Sequence, residues 1–206
     1  MPASSNCNRT EHPPARAAWA MHLLGAVVAL CLLAAHPLGW ASDAAALSAL
    51  RTGDAGIVLF RHAIAPGGGD PAGHRLGDCS TQRNLSADGR AQAKRIGAAF
   101  KDAGIVVGAV WTSQWCRTRD TADLAFPGQR VDQPVFNSFF NEAAQEPERT
   151  ASARSLLNGW QGPGVLVVVT HQVNITALTG VVPGSGQGVV VKPSAIGLQV
   201  VGRIDP

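Results

Sequence analysis

Gly56-Ile57-Val58-Leu59-Phe60-Arg61-His62-Ala63-Ile64-Ala65-Pro66-Gly67-Gly68-Gly69 runs from an apolar stretch into an arginine–histidine pair and then into proline and glycine. A short apolar run ended by Pro and Gly reads as a buried strand, here covering about 56–61. Arg61 and His62 then stand at its carboxyl end, where open α/β sheets place their ligand crevices. A guanidinium offers a fork of donors to phosphate oxygens, and a neutral imidazole can attack phosphorus. An Arg-His pair on a strand edge carries no function by itself, so this reading needs partners elsewhere in the chain.

Working outward, the pattern alternates strand and helix. Residues 43–51 read as a short amphipathic helix, with Asp43 near its start. Downstream of the glycine-rich loop 66–84, Ser86 is an N-cap for a helix to Lys101-Asp102, with Gly104 as its stop. A second strand is expected over Val106–Trp111, a helix from near Gln114 to before Pro127, and a third extended segment over 130–136. Residues 148–160 read as a helix. Val165-Leu166-Val167-Val168-Val169 is unbroken and β-branched, as a strand covered on both faces should be. A helix from about Val173 ends at Gly180, and 188–191 with 196–201 read as a closing hairpin. Strands separated by helices imply an α/β three-layer sandwich, a mostly parallel sheet with helices on both faces.

Three strand ends carry polar residues of related chemistry: Arg61-His62, the stretch Thr112-Ser113-Gln114-Trp115-Cys116-Arg117, and Thr170-His171-Gln172. In a parallel sheet these ends share one side, so the groups converge although the sequence separates them.

The first forty residues have a different character. Arg9 and Arg16 precede a nearly uncharged segment from Ala17 to Leu38, and Gly39-Trp40-Ala41 follows with small residues at its first and third positions. That order is a secretory signal, expected over 1–41 with cleavage after Ala41, leaving one domain over 42–206 in the periplasm or secreted. An uncleaved membrane anchor is the alternative, and it is the only membrane association the sequence suggests. The net charge of +3 and the scattered 15% of charged residues show no basic patch for nucleic acid. No obligate protein partner is evident. Outside the leader only Cys79 and Cys116 remain, either a disulfide suited to an oxidising compartment or two separate buried thiols.

The chain resembles the histidine phosphatase superfamily, also called phosphoglycerate mutase-like. Arg61-His62-Ala63 matches its Arg-His-Gly signature, with alanine for the usual glycine. Arg83-Asn84-Leu85-Ser86-Ala87-Asp88-Gly89-Arg90-Ala91-Gln92-Ala93 is similar to its pattern Arg-x-Leu-Ser/Thr-x-x-Gly-x-x-Gln-Ala. Ser113-x-x-x-Arg117-x-x-x-Thr121-Ala122 matches its second arginine motif, and Thr170-His171 its late histidine. The resemblance implies that His62 is a phosphoryl-accepting nucleophile, with Arg61, Arg117 and His171 holding the phosphate oxygens. It implies a phosphomonoesterase that needs no cofactor or metal and acts on a small phosphorylated substrate. A hydrogen bond from the other ring nitrogen of His62 to a backbone carbonyl is expected to fix its tautomer.

The proton for the leaving alkoxide needs a carboxylic acid at the pocket mouth. The resemblance points to Glu142, in Phe139-Phe140-Asn141-Glu142, although the local motif departs from the family's and Glu146 and Glu148 lie close by. Gln172 and Asn174 either reach the substrate or cap their helix. Arg83 either adds positive potential or lies at the surface. His74 is expected to face solvent, Trp111 and Trp115 to be packing residues, and loops 66–80 and 136–150 to form the rim. The glycine run is not a nucleotide loop, since no Lys-Ser or Lys-Thr pair follows. A metal-dependent hydrolase and a phosphate-binding module without catalysis are the competing readings, with lipopolysaccharide core heptose phosphate a substrate by analogy alone.

Overall fold

Val165-Leu166-Val167-Val168-Val169-Thr170 forms a strand with all six residues buried, and the rest of the sheet is built around it. The computed structural model describes residues 43–206, so the leader expected over 1–41 lies outside the described residues. In chain order the elements are α1 (Asp43–Thr52), β1 (Ile57–Arg61), α2 (Ala87–Asp102), β2 (Val107–Thr112), α3 (Cys116–Ala125), β3 (Arg130–Asp132), α4 (Glu146–Asn158), β4 (Val165–Thr170), α5 (Gln172–Thr179), β5 (Gly188–Ser194) and β6 (Gly197–Ile204). The strands lie in the order β3-β2-β4-β1-β5-β6. The pairings from β3 to β1 are parallel, and those of β5 with β1 and with β6 are antiparallel. The sheet is therefore mixed, its parallel part carrying the helical crossovers and its antiparallel part the closing hairpin.

Side-chain alternation along the central strands divides the core into two layers. Val165, Val167 and Val169 of β4, with Val58 and Phe60 of β1, face Ala46, Leu50, Ile96, Phe100 and Ala122 of α1, α2 and α3. Leu166 and Val168, with Ile57 and Leu59, face Ala153, Leu157, Ile175 and Leu178 of α4 and α5. Each fully buried aliphatic side chain of this kind contributes about 1.5–3 kcal/mol. These two layers set the edge on which the strand ends meet.

Local chemistry sets the boundaries. The Ser86 hydroxyl accepts the Gly89 N–H at 3.0 Å and caps α2, and Gly104 turns the chain away at φ +66°. The third extended segment is shorter than its sequence suggests: β3 ends at Asp132, and Pro134 opens a 3-10 turn over Pro134–Phe136. Proline has no N–H to continue a ladder. The hairpin is longer than expected, reaching Ser194 and Ile204. Among the described residues no helix is long and apolar enough to cross a membrane.

Candidate active site

The parallel register brings three segments to one edge. Arg61 pairs with Thr170 across β1 and β4, the His62 N–H donates to the Thr170 carbonyl at 3.0 Å, and the Ser113 N–H donates to the Val169 carbonyl at 3.1 Å. A cavity of about 290 Å³ opens there, with Arg61, His62, Arg117 and His171 all in its lining. Helices α3 and α5 both begin at this edge, so their first-turn N–H groups add positive potential to it.

His62 is 2% exposed. Its Nδ1–H donates to the Ala63 carbonyl at 2.8 Å, leaving Nε2 with no hydrogen-bond partner among the described residues. Burial, reinforced by the Arg117 charge, lowers its pKa to about 3, although the Ala63 bond acts the other way. The imidazole is thus neutral at physiological pH, with a lone pair on Nε2.

The alanine in place of the usual glycine causes no conflict, since Ala63 is fully buried and its backbone is fully used. Its N–H donates to the Thr121 hydroxyl at 3.0 Å, which itself donates to the Arg117 carbonyl at 2.6 Å. Thr121 therefore ties the strand carrying His62 to the helix carrying Arg117, a physical reason for the spacing Arg-x-x-x-Thr. The Gly-x-x-Gln-Ala spacing on α2 has a similar cause. A Cβ on Gly89 would lie 2.0 Å from the Ile64 carbonyl oxygen. Gln92 accepts the Ile64 N–H at 3.1 Å and donates to the Ser185 carbonyl at 2.8 Å.

His171 is oriented by a hydroxyl relay that the sequence did not disclose. The Thr118 hydroxyl donates to backbone carbonyls of Ser113 and Trp115, so it accepts from Ser113 Oγ at 2.7 Å. Ser113 Oγ in turn accepts Nε2–H of His171 at 2.8 Å. That leaves Nδ1 of His171 unprotonated, 3.4 Å from an Arg117 Nη2–H. Burial first, then Arg117, holds the His171 pKa well below its ordinary value. The two imidazoles meet edge to face, with centroids 5.6 Å apart.

Three guanidinium groups surround them. Arg61 donates to the Pro183 carbonyl at 3.1 Å, and Arg83 donates to the carbonyls of Ala65 and Gly67. Arg83 lines the cavity, so of its two readings the one inside the pocket's field holds. Each of Arg61, Arg83 and Arg117 keeps a buried Nε–H without an acceptor among the described residues, and burial lowers the pKa of Arg61 and Arg117. Opposing them is Asp70, which sequence reasoning did not single out. Its Oδ1 accepts Arg117 Nη1–H at 2.8 Å and the Arg83 backbone N–H at 3.0 Å, and its Oδ2 accepts Trp115 Nε1–H at 3.0 Å. Burial would raise its pKa, but these donors and the Arg117 charge bring it below the usual carboxylate value. Three arginines against Asp70 and Glu142 leave the lining net positive, suited to an anion.

The rim partly corrects the sequence expectations. Glu142 is exposed and lines the cavity, together with Ser138, Phe140 and Asn141. Glu146 and Glu148 stand outside it, and Glu146 accepts the Thr150 hydroxyl at 3.1 Å. His74 was expected in solvent but lines the cavity, its ring 5.9 Å from that of Trp115. Trp115 is likewise a cavity wall, edge-on to His171 at 5.3 Å, because its indole N–H follows Asp70. Trp111 is a packing residue, partly buried against the core beside Phe136 and Trp160. Gln172 lines the cavity, Asn174 donates to the Asn137 carbonyl at 3.0 Å, and neither side chain caps α5. Cys79 and Cys116 form a disulfide with a Cα–Cα distance of 5.7 Å, joining the glycine-rich loop to the residue before Arg117.

Residues 57–142 match the family model of the histidine phosphatase superfamily (branch 1). No curated protein matches the sequence. Among solved structures, SixA of Agrobacterium tumefaciens, assigned as a phosphohistidine phosphatase, is 19% identical with a TM-score of 0.52, covering 73% of this chain and 97% of its own. The protein histidine phosphatase SixA complexed with tungstate is 14% identical with a TM-score of 0.51, covering 73% and 96%. A phosphoserine phosphatase mutant from Entamoeba histolytica, in complex with phosphoserine, is 13% identical with a TM-score of 0.52, covering 71% and 95%. At such identities these likenesses show the fold, and the family match is confined to residues 57–142, the stretch that carries Arg61, His62 and Arg117.

Proposed function

We propose that this chain is a histidine phosphatase: an exported phosphomonoesterase that works through a phosphohistidine on His62, without a metal ion. The observation that carries the reading is the neutral, tautomer-fixed imidazole of His62, with Nε2 unpartnered among the described residues, in a cavity ringed by guanidinium groups. A phosphate monoester repels anionic nucleophiles, whereas an uncharged nitrogen meets no such repulsion. Nε2 attacks phosphorus, the bond to the ester oxygen breaks, and Arg61, Arg117 and His171 hold the phosphoryl oxygens as charge redistributes. Glu142 gives the leaving oxygen its proton, then takes one from the water that attacks the phosphohistidine, so inorganic phosphate leaves and His62 is restored.

The cavity, at about 290 Å³, lies near the lower end of ligand sites and suits a small ester. Among the described residues no cluster of three or more His, Cys, Asp or Glu is placed to hold a metal ion, and the arginines would repel a cation. The leader sequence and the Cys79–Cys116 disulfide support export to an oxidising compartment. The test is phosphate release from a panel of phosphomonoesters, with and without a chelator. The wild-type protein is expected to turn over at least one of them with the chelator present, and His62→Ala to lose about 10³-fold or more. Turnover that His62→Ala retains, or that the chelator abolishes, contradicts the proposal.

A further inference from the structure

Arg117 and Asp70 form an ion pair whose side chains are only 4% and 6% exposed. Two charges so far from water are stable only if each is well hydrogen-bonded. Asp70 meets that condition with three N–H donors drawn from Arg117, Arg83 and Trp115. The approach depends on the glycines ahead of it, since Gly67 and Gly69 adopt φ +96° and +76°, which side-chain-bearing residues rarely do. On Arg117, Nη1 faces Asp70 and Nη2 faces His171, so the guanidinium plane is fixed from both sides.

We infer that Asp70 is a positioning residue of the phosphate pocket, holding the Arg117 fork with one oxygen and the Trp115 ring with the other while offsetting one of the pocket's positive charges. The inference rests on the reading of the cavity as a phosphate site. Its consequence is a bound phosphate that is oriented firmly yet released. With the carboxylate present, Arg117 keeps its direction but loses part of its pull. With an amide there, its oxygen still accepts from Arg117 and Arg83, the Trp115 bond is given up, and the full guanidinium charge acts on the anion.

The test is binding of inorganic phosphate by calorimetry, beside steady-state kinetics, for wild type and Asp70→Asn. Asp70→Asn is expected to bind phosphate roughly three- to tenfold more tightly, with kcat and KM both lowered because product leaves slowly. A purely structural role predicts weaker phosphate binding, so unchanged or weakened affinity in the folded variant overturns the inference. Should the wild-type protein bind no phosphate, the phosphate reading of the cavity falls and this inference falls with it. Should the variant fail to fold, nitrogen NMR of the wild-type Arg117 decides: separate Nη1 and Nη2 signals support the clamp, and averaged signals overturn it.

Discussion

At neutral pH two imidazoles stay uncharged in this pocket because burial and the arginines make protonation costly. His62 sits at about 3, below the ordinary value near 6.5, so the unfolded chain takes up a proton that the native site refuses. Stability from this source is complete above about pH 6.5 and falls as pH drops toward 3, by up to about 1.4 kcal/mol per pH unit for each such histidine. Denaturant midpoints at several pH values are expected to fall more steeply between pH 6.5 and 4 for wild type than for His62→Asn; equal slopes contradict the account. Glu142 carries a separate prediction. Glu142→Gln is expected to reduce kcat/KM by about 10²-fold or more on alkyl phosphates and far less on activated aryl phosphates, whose oxygen leaves without a proton. Equal losses on both remove Glu142 from the role. The arginines and histidines were legible because each sits at a fixed offset from a strand end. Asp70 was not, since a lone acid in a glycine-rich loop gives no spacing signal, and its partners are joined only by the fold.

Among the elements, α2 shows most clearly how a local pattern serves the site. Gly89 lets the helix backbone approach the Ile64 carbonyl, and Gln92 fastens the Ile64 N–H, so the segment after His62 is held by α2. Gly89→Ala places a methyl against that carbonyl and is expected to cost about 1–3 kcal/mol of stability. It also lowers kcat/KM, because Ile64 cannot retreat without moving Ala63, the acceptor for His62. A variant with wild-type stability and activity contradicts this assignment. The boundaries of α2 were readable from Ser86 and Gly104, whose capping chemistry is local. The segment 130–136 was misjudged because Pro134 ends the ladder while leaving the apolar pattern intact. His74 and Trp115 were misplaced for another reason: the disulfide and Asp70 draw two distant loops into one wall, which no periodicity records.

Across the whole molecule, alternating strands and helices announced a parallel sheet, and β3, β2, β4 and β1 supply it. The antiparallel pairing of β5 with β6 follows from their short connection. The disulfide spans 37 residues of sequence and links both sides of the pocket. Replacing both cysteines by serine is expected to reduce stability by about 2–4 kcal/mol, read as a shift in denaturant midpoint, with no shift if the bridge is idle. The proposed chemistry requires His62, His171, Arg61 and Arg117, remote in sequence, to act on one tetrahedral anion. The most direct measurement mixes the protein with a phosphate ester it hydrolyses, quenches within milliseconds under alkaline conditions that preserve phosphohistidine, and locates the phosphoryl group by mass spectrometry. The account predicts a phosphoryl group on His62 that forms and decays at rates consistent with turnover. Steady hydrolysis with no such adduct, or with the phosphoryl group on another side chain, contradicts it.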